Sequence, residues 1–431
     1  MGKKFSWVTT ITIKDIQYML LYLLLFMMPI SYHPIIMRMS EAAGYESGTI
    51  LSKYILLLFA VLFMVSFLRT TKHIPTLLSK YLIWTALIGF SGIVLFMIYQ
   101  NKGLITILRT FFIVFASVFV GWTLKPDRKR LTWMLMVFSL ATLFSGLMQV
   151  FLNIGGFRIA TLYLTDSKNS LGAMLASSVV ALLFIFINQD KGRLRVFSLA
   201  CAFLGLVIIL TIRARAALLC VFLVGLYMLM YNSRMKKLLP WIIAGGVVLV
   251  VGSLFLPVNI FDYIKQSMTA GTQGDDITSG RMHTYISALS YIASHPLVGD
   301  VRKETTIFWI HNFPLRYMYD YGLLFCWPIL GLYLYLIIFS IRRSSQTKMG
   351  YLYAGYTILF VPYIISMFEP TFPFGPGTVT VFNFILLGSS ERCFKHKVKI
   401  LKRRKLRRDK DFPELTNETP QSLPAGNPAS S

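Results

Sequence analysis

TSGRMHTYISALSYIASHPLVG, residues 278–299, and WIHNFPLRYMYDYGLL, residues 309–324, form the polar stretch of a chain that is otherwise apolar runs and short turns. They lie in the one long loop of the sequence, from Leu256 to about Leu324. Charged and imidazole side chains are expensive in a bilayer, so a chain of this kind keeps its chemistry where the membrane stops. The stretch therefore decides the architecture, spans on either side of one large loop, and marks where a site belongs.

Outward from this loop, composition points the same way. Of 431 residues, 55% are hydrophobic and 15% aromatic, and the mean hydropathy is +0.63. A soluble domain with a polar surface does not reach such values. A formal charge of +25 would suggest nucleic acid in a soluble protein, but here Lys and Arg fall in short turns and in the tail. The excess reads as topogenic, with no nucleic-acid partner. Cys201, Cys220, Cys326 and Cys393 stand singly, without CxxC spacing, so neither a disulfide framework nor a metal site is indicated.

A helix needs about 17 to 25 apolar residues to cross roughly 30 Å of hydrocarbon. Such runs lie near 16–37, 50–68, 80–99, 104–123, 131–152, 169–188, 195–212, 215–231, 238–256, 314–340, 350–367 and 374–390. The initial MGKKFSW leads into the first run with no small-residue cleavage site, so that run reads as a first helix and not as a removed signal. The expected fold is all-α, a polytopic membrane bundle of about twelve helices with one large external loop containing short amphipathic helices. About nine helices occupy 1–256, the extracytoplasmic loop 257–313, the last three helices 314–390, and a basic then disordered tail 391–431.

Lys and Arg concentrate around 69–72, 125–130, 191–195, 234–237 and 342–348, all on one side of this plan, together with Lys3, Lys4 and the tail KHKVKILKRRKLRRDK. The positive-inside tendency makes that side cytoplasmic, with both termini there and the large loop outside. The basic part of the tail suits anionic headgroups.

Three external features then stand out. The loop GGFRIATLYLTDSKNS, residues 155–170, carries Arg158 and Asn169. The turn TIRARAAL, residues 211–218, carries Arg213 and Arg215 against the positive-inside tendency; their forks match a pyrophosphate, or else snorkel to lipid phosphates. In the long loop, Ile286, Leu289 and Ile292 recur at helical spacing beside the polar Arg281, His283 and Ser287, which reads as an interfacial helix ended by Pro296 and Gly299. A structural helix over the bundle mouth is the alternative, with His283 and His295 merely hydrogen-bonded. Asp275 and Asp276 read as a solvated acidic turn, because no further carboxylates follow at EF-hand spacing. His311 and Asn312 sit where the loop re-enters the membrane. A histidine there can accept a hydroxyl proton, orient a sugar, or simply begin a helix. Arg316 and Asp320 are spaced for an i,i+4 ion pair, and Glu369 is a second candidate base or a solvated carboxylate.

The whole plan resembles the O-antigen polymerase and ligase (Wzy-type) superfamily of bacterial polysaccharide membrane glycosyltransferases. It does so in span number, inside termini and one large loop before the last three spans, and in the order TDSKNSLGAMLA, TIRARAALL, GRMHTYISALSYIASHPLVG, IHNFPLRYMYDYGLL after Gly155. The resemblance implies a multi-pass protein of the bacterial cytoplasmic (inner) membrane that transfers an undecaprenyl-diphosphate-linked oligosaccharide to a sugar hydroxyl on the outer face. No metal, cofactor or nucleotide sugar is implied. The implied partners are that donor, a glycan acceptor, the bilayer and other assembly proteins such as a flippase or a chain-length regulator. Arg215 occupies the family's Ser-Arg turn, where the arginine holds the donor diphosphate, although Ala214 stands where the serine is usual. Arg281 matches the loop arginine before the HPL segment, and His311 the histidine before the last spans. Arg215, Arg281 and His311 are therefore the catalytic candidates, with Arg213, Arg158, Asn169 and Asn312 holding diphosphate and glycan. A polymerase of capsular, exopolysaccharide or O-antigen repeats is the first reading, and a ligase to a lipid or cell-wall acceptor the second. A flippase or transporter would instead show charged or broken helices near the midplane and pseudo-symmetric halves.

Overall fold

Hydrocarbon offers no hydrogen-bond partners, so apolar runs close their backbone bonds internally as helices. The computed structural model describes residues 12–44, 50–69, 75–152, 168–189, 192–237, 240, 281–302, 310–375 and 377–411. Among them there is no strand. The helices are α1 (Ile13–Ile30), α2 (Pro34–Ala42), α3 (Ile50–Leu68), α4 (Thr76–Tyr99), α5 (Gly103–Thr123), α6 (Arg128–Leu152), α7 (Lys168–Asn188), α8 (Arg193–Thr211), α9 (Arg215–Tyr231), α10 (Ser233–Lys236), α11 (Arg281–Ser294), α12 (Phe313–Gln346), α13 (Ala354–Ile358), α14 (Phe360–Ile365) and α15 (Thr378–Asp411). Eight of them, α1, α3 to α8 and α12, are long and apolar enough to cross a membrane. The chain is an all-α polytopic membrane bundle.

The expected runs fall on these helices, with instructive departures. Apart from residue 240, the run at 238–256 lies outside the described residues, as do the loop residues 257–280 and 303–309. The first run ends earlier than read, because Pro34 starts a separate short helix after the turn at Ser31–His33. The run at 350–367 is divided into a 3-10 turn, Tyr351–Tyr353, followed by α13 and α14. Pro362 has no N–H for the carbonyl of Ile358 and its ring crowds that carbonyl, and the break falls there. The apolar part of α15 runs without interruption into the basic tail.

Helix α7 is the central element, buried all round and packed by α6, α8, α9, α13, α14 and α15. Its run Val179, Val180, Ala181, Leu182 is fully buried, as a helix apolar on every side must be. Helices α5 and α15 approach backbone to backbone: a Cβ at Gly121 would overlap the Ile385 carbonyl, and one at Gly388 the Val118 carbonyl. Small residues permit this contact where no hydrophobic force separates helix from lipid. The outer faces present Phe90, Ile93, Met97, Phe203 and Phe222, the surface a bilayer would cover.

The break in α12 positions the loop. Gly322 has φ 60° and ψ 174°, a region open essentially to glycine. Bonds from the loop replace helical bonds lost there. Leu323 N–H donates to Pro296 O and Leu324 N–H to Leu297 O, both at 2.9 Å, while Asp300 N–H donates to the freed Tyr319 carbonyl at 2.8 Å. The HPLVG segment is thus stitched into the kink, which is the condition under which irregular backbone survives at a membrane edge. Gly299, at φ 65°, faces Gly322 with no room for a side chain on either. Asn101, in the turn between α4 and α5, donates to Val301 O at 2.7 Å and holds the far end of the segment.

Helix α11 forms as expected but faces differently. It buries Ala288 and Ile292 against Ile310 and Tyr319, and turns Met282, Ile286 and Leu289 outward. Ile286 and Ile292 are six residues apart, which at 3.6 residues per turn puts them on different faces.

Candidate active site at the loop end of the bundle

The segment following α14, Ser366 to Glu369, runs beneath α11 and beside the entry to α12. Phe313 N–H donates to Ser366 O at 2.8 Å, and the Asn312 amide donates to Met367 O at 3.2 Å. The Asn312 side-chain oxygen meanwhile accepts the Leu315 N–H at 3.0 Å as the N-cap of α12. From α11, Arg281 Nη1 donates to Phe368 O at 3.1 Å, and the Tyr285 hydroxyl donates to His311 O at 2.7 Å. Burial first, and then the nearby Glu369 charge, push the Tyr285 hydroxyl up, against an easing effect of Arg281. It therefore stays protonated as the donor that fixes the His311 backbone.

All of this converges on Glu369, whose side chain is only 14% exposed. Its Oε1 lies 3.6 Å from Arg281 Nη2 and 3.6 Å from His311 Nδ1, and it accepts a hydrogen bond from Asn169 Nδ2. One carboxylate oxygen thus joins the first turn of α7, the amphipathic loop helix and the re-entry histidine. His311 Nδ1 is buried and makes no hydrogen bond among the described residues, so the carboxylate is the polar group that faces it.

The arginine turn belongs to the same end. Arg213 takes a left-handed φ of 58° in the tight turn between α8 and α9, uncommon for a long side chain. Arg215 opens α9, whose N-cap, Ala214, supplies no side-chain acceptor. Instead the Arg215 N–H donates to Arg213 O at 3.1 Å across the turn, and Leu218 N–H donates to Ala214 O at 3.1 Å, so the turn sets a guanidinium at the positive end of the α9 dipole. This turn packs on α7: a Cβ at Gly172 would crowd those of Ala214 and Ala217, and Gly172 lies one helical turn from Asn169. Helix α9 also packs on α14, with Cys220 Sγ 3.7 Å from Val361 O.

Beside the Glu369 segment opens a cavity of about 220 Å³ lined by Phe313, Arg316, Tyr317, Asp320, Tyr321 and Thr371, among others. Arg316 and Asp320 pair along its α12 wall at 3.4 Å, as their i,i+4 spacing predicts.

The structure thus brings together Arg281, His311, Asn312 and Asn169, and sets the Arg213–Arg215 turn against the same helix. Arg158, Asp275 and Asp276 lie outside the described residues. His283 is exposed, and His295 is exposed and stacked on Tyr291 at 4.5 Å. In the sequence Glu369 stands only as a second candidate base, and nothing there joins it to Asn169, which is 200 residues away. Tyr285 is a functional residue without a motif, and its spacing of four from Arg281, which puts both on one helical face, is the signal that points to it.

Fold and site together define a polytopic α-helical membrane protein in which Arg281, His311 and Asn169 meet on Glu369 at one end of the bundle. Residues 199–325 match a family model described as O-antigen ligase. That match bears out the resemblance to the O-antigen polymerase and ligase superfamily, whose members are membrane glycosyltransferase-like enzymes. It spans Arg213, Arg215, Arg281, His311 and Asn312, and leaves Asn169 and Glu369 outside. No curated protein matches the chain.

Proposed function

We propose that the protein is a polysaccharide polymerase of the bacterial cytoplasmic membrane, with both termini inside. It transfers an undecaprenyl-diphosphate-linked oligosaccharide to a sugar hydroxyl of another repeat unit at the outer face. The observation that carries this reading is the junction of Asn169, Arg281 and His311 on one oxygen of Glu369, beside an arginine turn at an uncapped helix N-terminus.

Breaking the bond between the anomeric carbon and the diphosphate leaves negative charge on the departing group. Arg215, the α9 N-terminus and Arg281, with Arg213 in support, stabilise that charge as it develops. With the Nδ1 proton of His311 directed at Glu369, the Nε2 lone pair is left to take the proton of the attacking hydroxyl. Glu369 is held by an arginine and an amide, which makes it a positioning residue for His311 in preference to the base itself. Asn312 fixes the same histidine through the Met367 carbonyl and the α12 cap. The aromatic faces and ion pair of the neighbouring cavity suit an acceptor sugar.

A ligase that moves glycan to a lipid or cell-wall acceptor is the second reading, favoured by the description of the matching family model. The two share every step up to the acceptor. Deleting the protein from its host and resolving lipid-linked glycans on a gel separates them. A single repeat unit left on the carrier is expected for the polymerase, long chains on the carrier belong to a ligase, and absence of repeat units outside the cell belongs to a flippase. In the complemented strain, Arg215→Ala is expected to abolish polymer while the protein remains in the membrane. Arg215→Lys should restore little, because an ammonium lacks the bidentate fork. Full-length polymer from Arg215→Ala would remove that assignment.

A further inference from the structure

At the opposite end of the bundle, helices α4, α12 and α15 enclose a second cavity of about 360 Å³, outside the site described above. It is lined by Thr76, Lys80, Arg342, Arg343, Glu391 and Lys395, with Leu77, Tyr335, Ile338 and Phe339 on its apolar side. Beyond the kink at Gly322, helix α12 continues to Gln346, and at about 1.5 Å per residue that part spans roughly 36 Å, so Arg342 and Phe313 stand at opposite ends of the bundle.

Four cations here meet one carboxylate, and that carboxylate is already shared. Glu391, 2% exposed, lies 3.5 Å from Arg343 Nε and 4.0 Å from Lys395 Nζ, and accepts the Tyr356 hydroxyl at 2.7 Å. Lys395 is further tied to Thr76 Oγ1 at 3.1 Å. Lys80 rests over the Tyr335 ring at 5.6 Å, and Lys80 and Arg342 are both exposed. Among the described residues no second carboxylate lines the cavity to neutralise them. The N-terminus of α4 opens into the same space, and its N-cap, Pro75, offers no side-chain acceptor. Positive charge, a helix N-terminus without a side-chain cap among the described residues and a cavity coincide there.

Position and shape narrow the anion. Lys80 and Arg342 stand at the ends of the apolar runs 80–99 and 314–340, the depth of lipid headgroups. Below them Leu334, Ile338 and Ile341 are exposed on α12, a surface for acyl chains continuous with the apolar wall of the cavity. We infer that this cavity binds the phosphate of an anionic phospholipid in the adjoining leaflet, held by Lys80 and Arg342 at the mouth of α4, and that the lipid ties together the ends of α4, α12 and α15. The basic connections gathered at this end bring such lipids near; the cavity selects one of them.

The full-length protein, reconstituted with phosphatidylglycerol and phosphatidylcholine and released for native mass spectrometry, tests this. Wild-type protein is expected to retain phosphatidylglycerol in preference to phosphatidylcholine. Lys80→Gln combined with Arg342→Gln removes two exposed charges without touching the buried Glu391 pairings, and should lower retention about 30-fold. Lys348→Gln combined with Lys399→Gln, equally exposed charges at the same end but outside the cavity, should leave it unchanged. Equal retention by the cavity variant and wild type, or equal loss in the control variant, would overturn the site. Displacement of phosphatidylglycerol by millimolar inorganic phosphate would overturn the lipid assignment by assigning the same charges to a free anion. Thermal unfolding of each variant in phosphatidylcholine alone shows whether a loss reflects misfolding. A cavity variant that unfolds earlier there is replaced by Lys80→Met alone, for which retention equal to wild type also overturns the proposal.

Discussion

Glu369→Gln is expected to lower glycan transfer by about 10²–10⁴-fold while the protein accumulates normally in the membrane. Glutamine keeps the shape of the side chain and can still accept from Asn169. It removes the charge that faces Arg281 Nη2 and His311 Nδ1 at 3.6 Å. The histidine then loses the group that directs its Nδ1 proton, and Arg281 loses the partner that holds it toward the loop. Glu369→Asp retains the charge on a shorter stem and should recover part of the rate. The measurement is turnover of a purified lipid-linked repeat unit by reconstituted protein, with kcat and KM for the acceptor determined separately. A positioning role lowers kcat more than it raises KM. Wild-type turnover by Glu369→Gln would show that the junction is structural and would leave His311 without its proposed orientation.

The second large effect lies in the backbone. Gly322→Ala is expected to destabilise the docking of α11 by about 2–3 kcal/mol, since it forces a non-glycine residue into a glycine-only conformation. Its Cβ would also overlap the Leu297 carbonyl, which belongs to backbone and cannot swing aside. The stitches from Leu323 and Leu324 to Pro296 and Leu297 should weaken, and Arg281 and Tyr285 should leave the Met367–Glu369 segment with α11. Hydrogen exchange over 281–300 reports this directly, and activity should fall with it while the spanning helices stay protected. Gly225→Ala in α9 is the control: its Cβ would meet nothing within 4 Å, so stability should be unchanged or slightly improved. Unaltered exchange over 281–300 in Gly322→Ala would mean that the kink does not hold the loop.

These two expectations rest on different degrees of legibility. The helices were readable because hydrocarbon forces long apolar runs into one secondary structure, so α4, α5 and α8 appear close to where composition puts them. Arg281, His311 and the Arg213–Arg215 turn were readable because a charged or imidazole group at a membrane edge is costly and therefore conspicuous. The run at 350–367 read as one span, and neither its division near Pro362 nor the consequence, a short segment that brings Glu369 under α11, was legible in its composition. The stripe on α11 was read as one face because three apolar residues recur, whereas the helix buries Ala288 and Ile292 and leaves Ile286 and Leu289 outside.

By itself the sequence determined that this is a bundle of membrane helices, with one long polar loop and a set of cationic and imidazole residues at helix ends. Local rules suffice for that, since apolar length, turn residues and charge placement act over a few tens of residues. Only the tertiary structure decided that Asn169, Arg281 and His311 meet on Glu369, and that Pro296 and Leu297 fill the hydrogen bonds broken at Gly322. Those groups come from separate helices and a kinked loop, and what joins them is the packing of α7, α11, α12 and α14, which no spacing along the chain encodes.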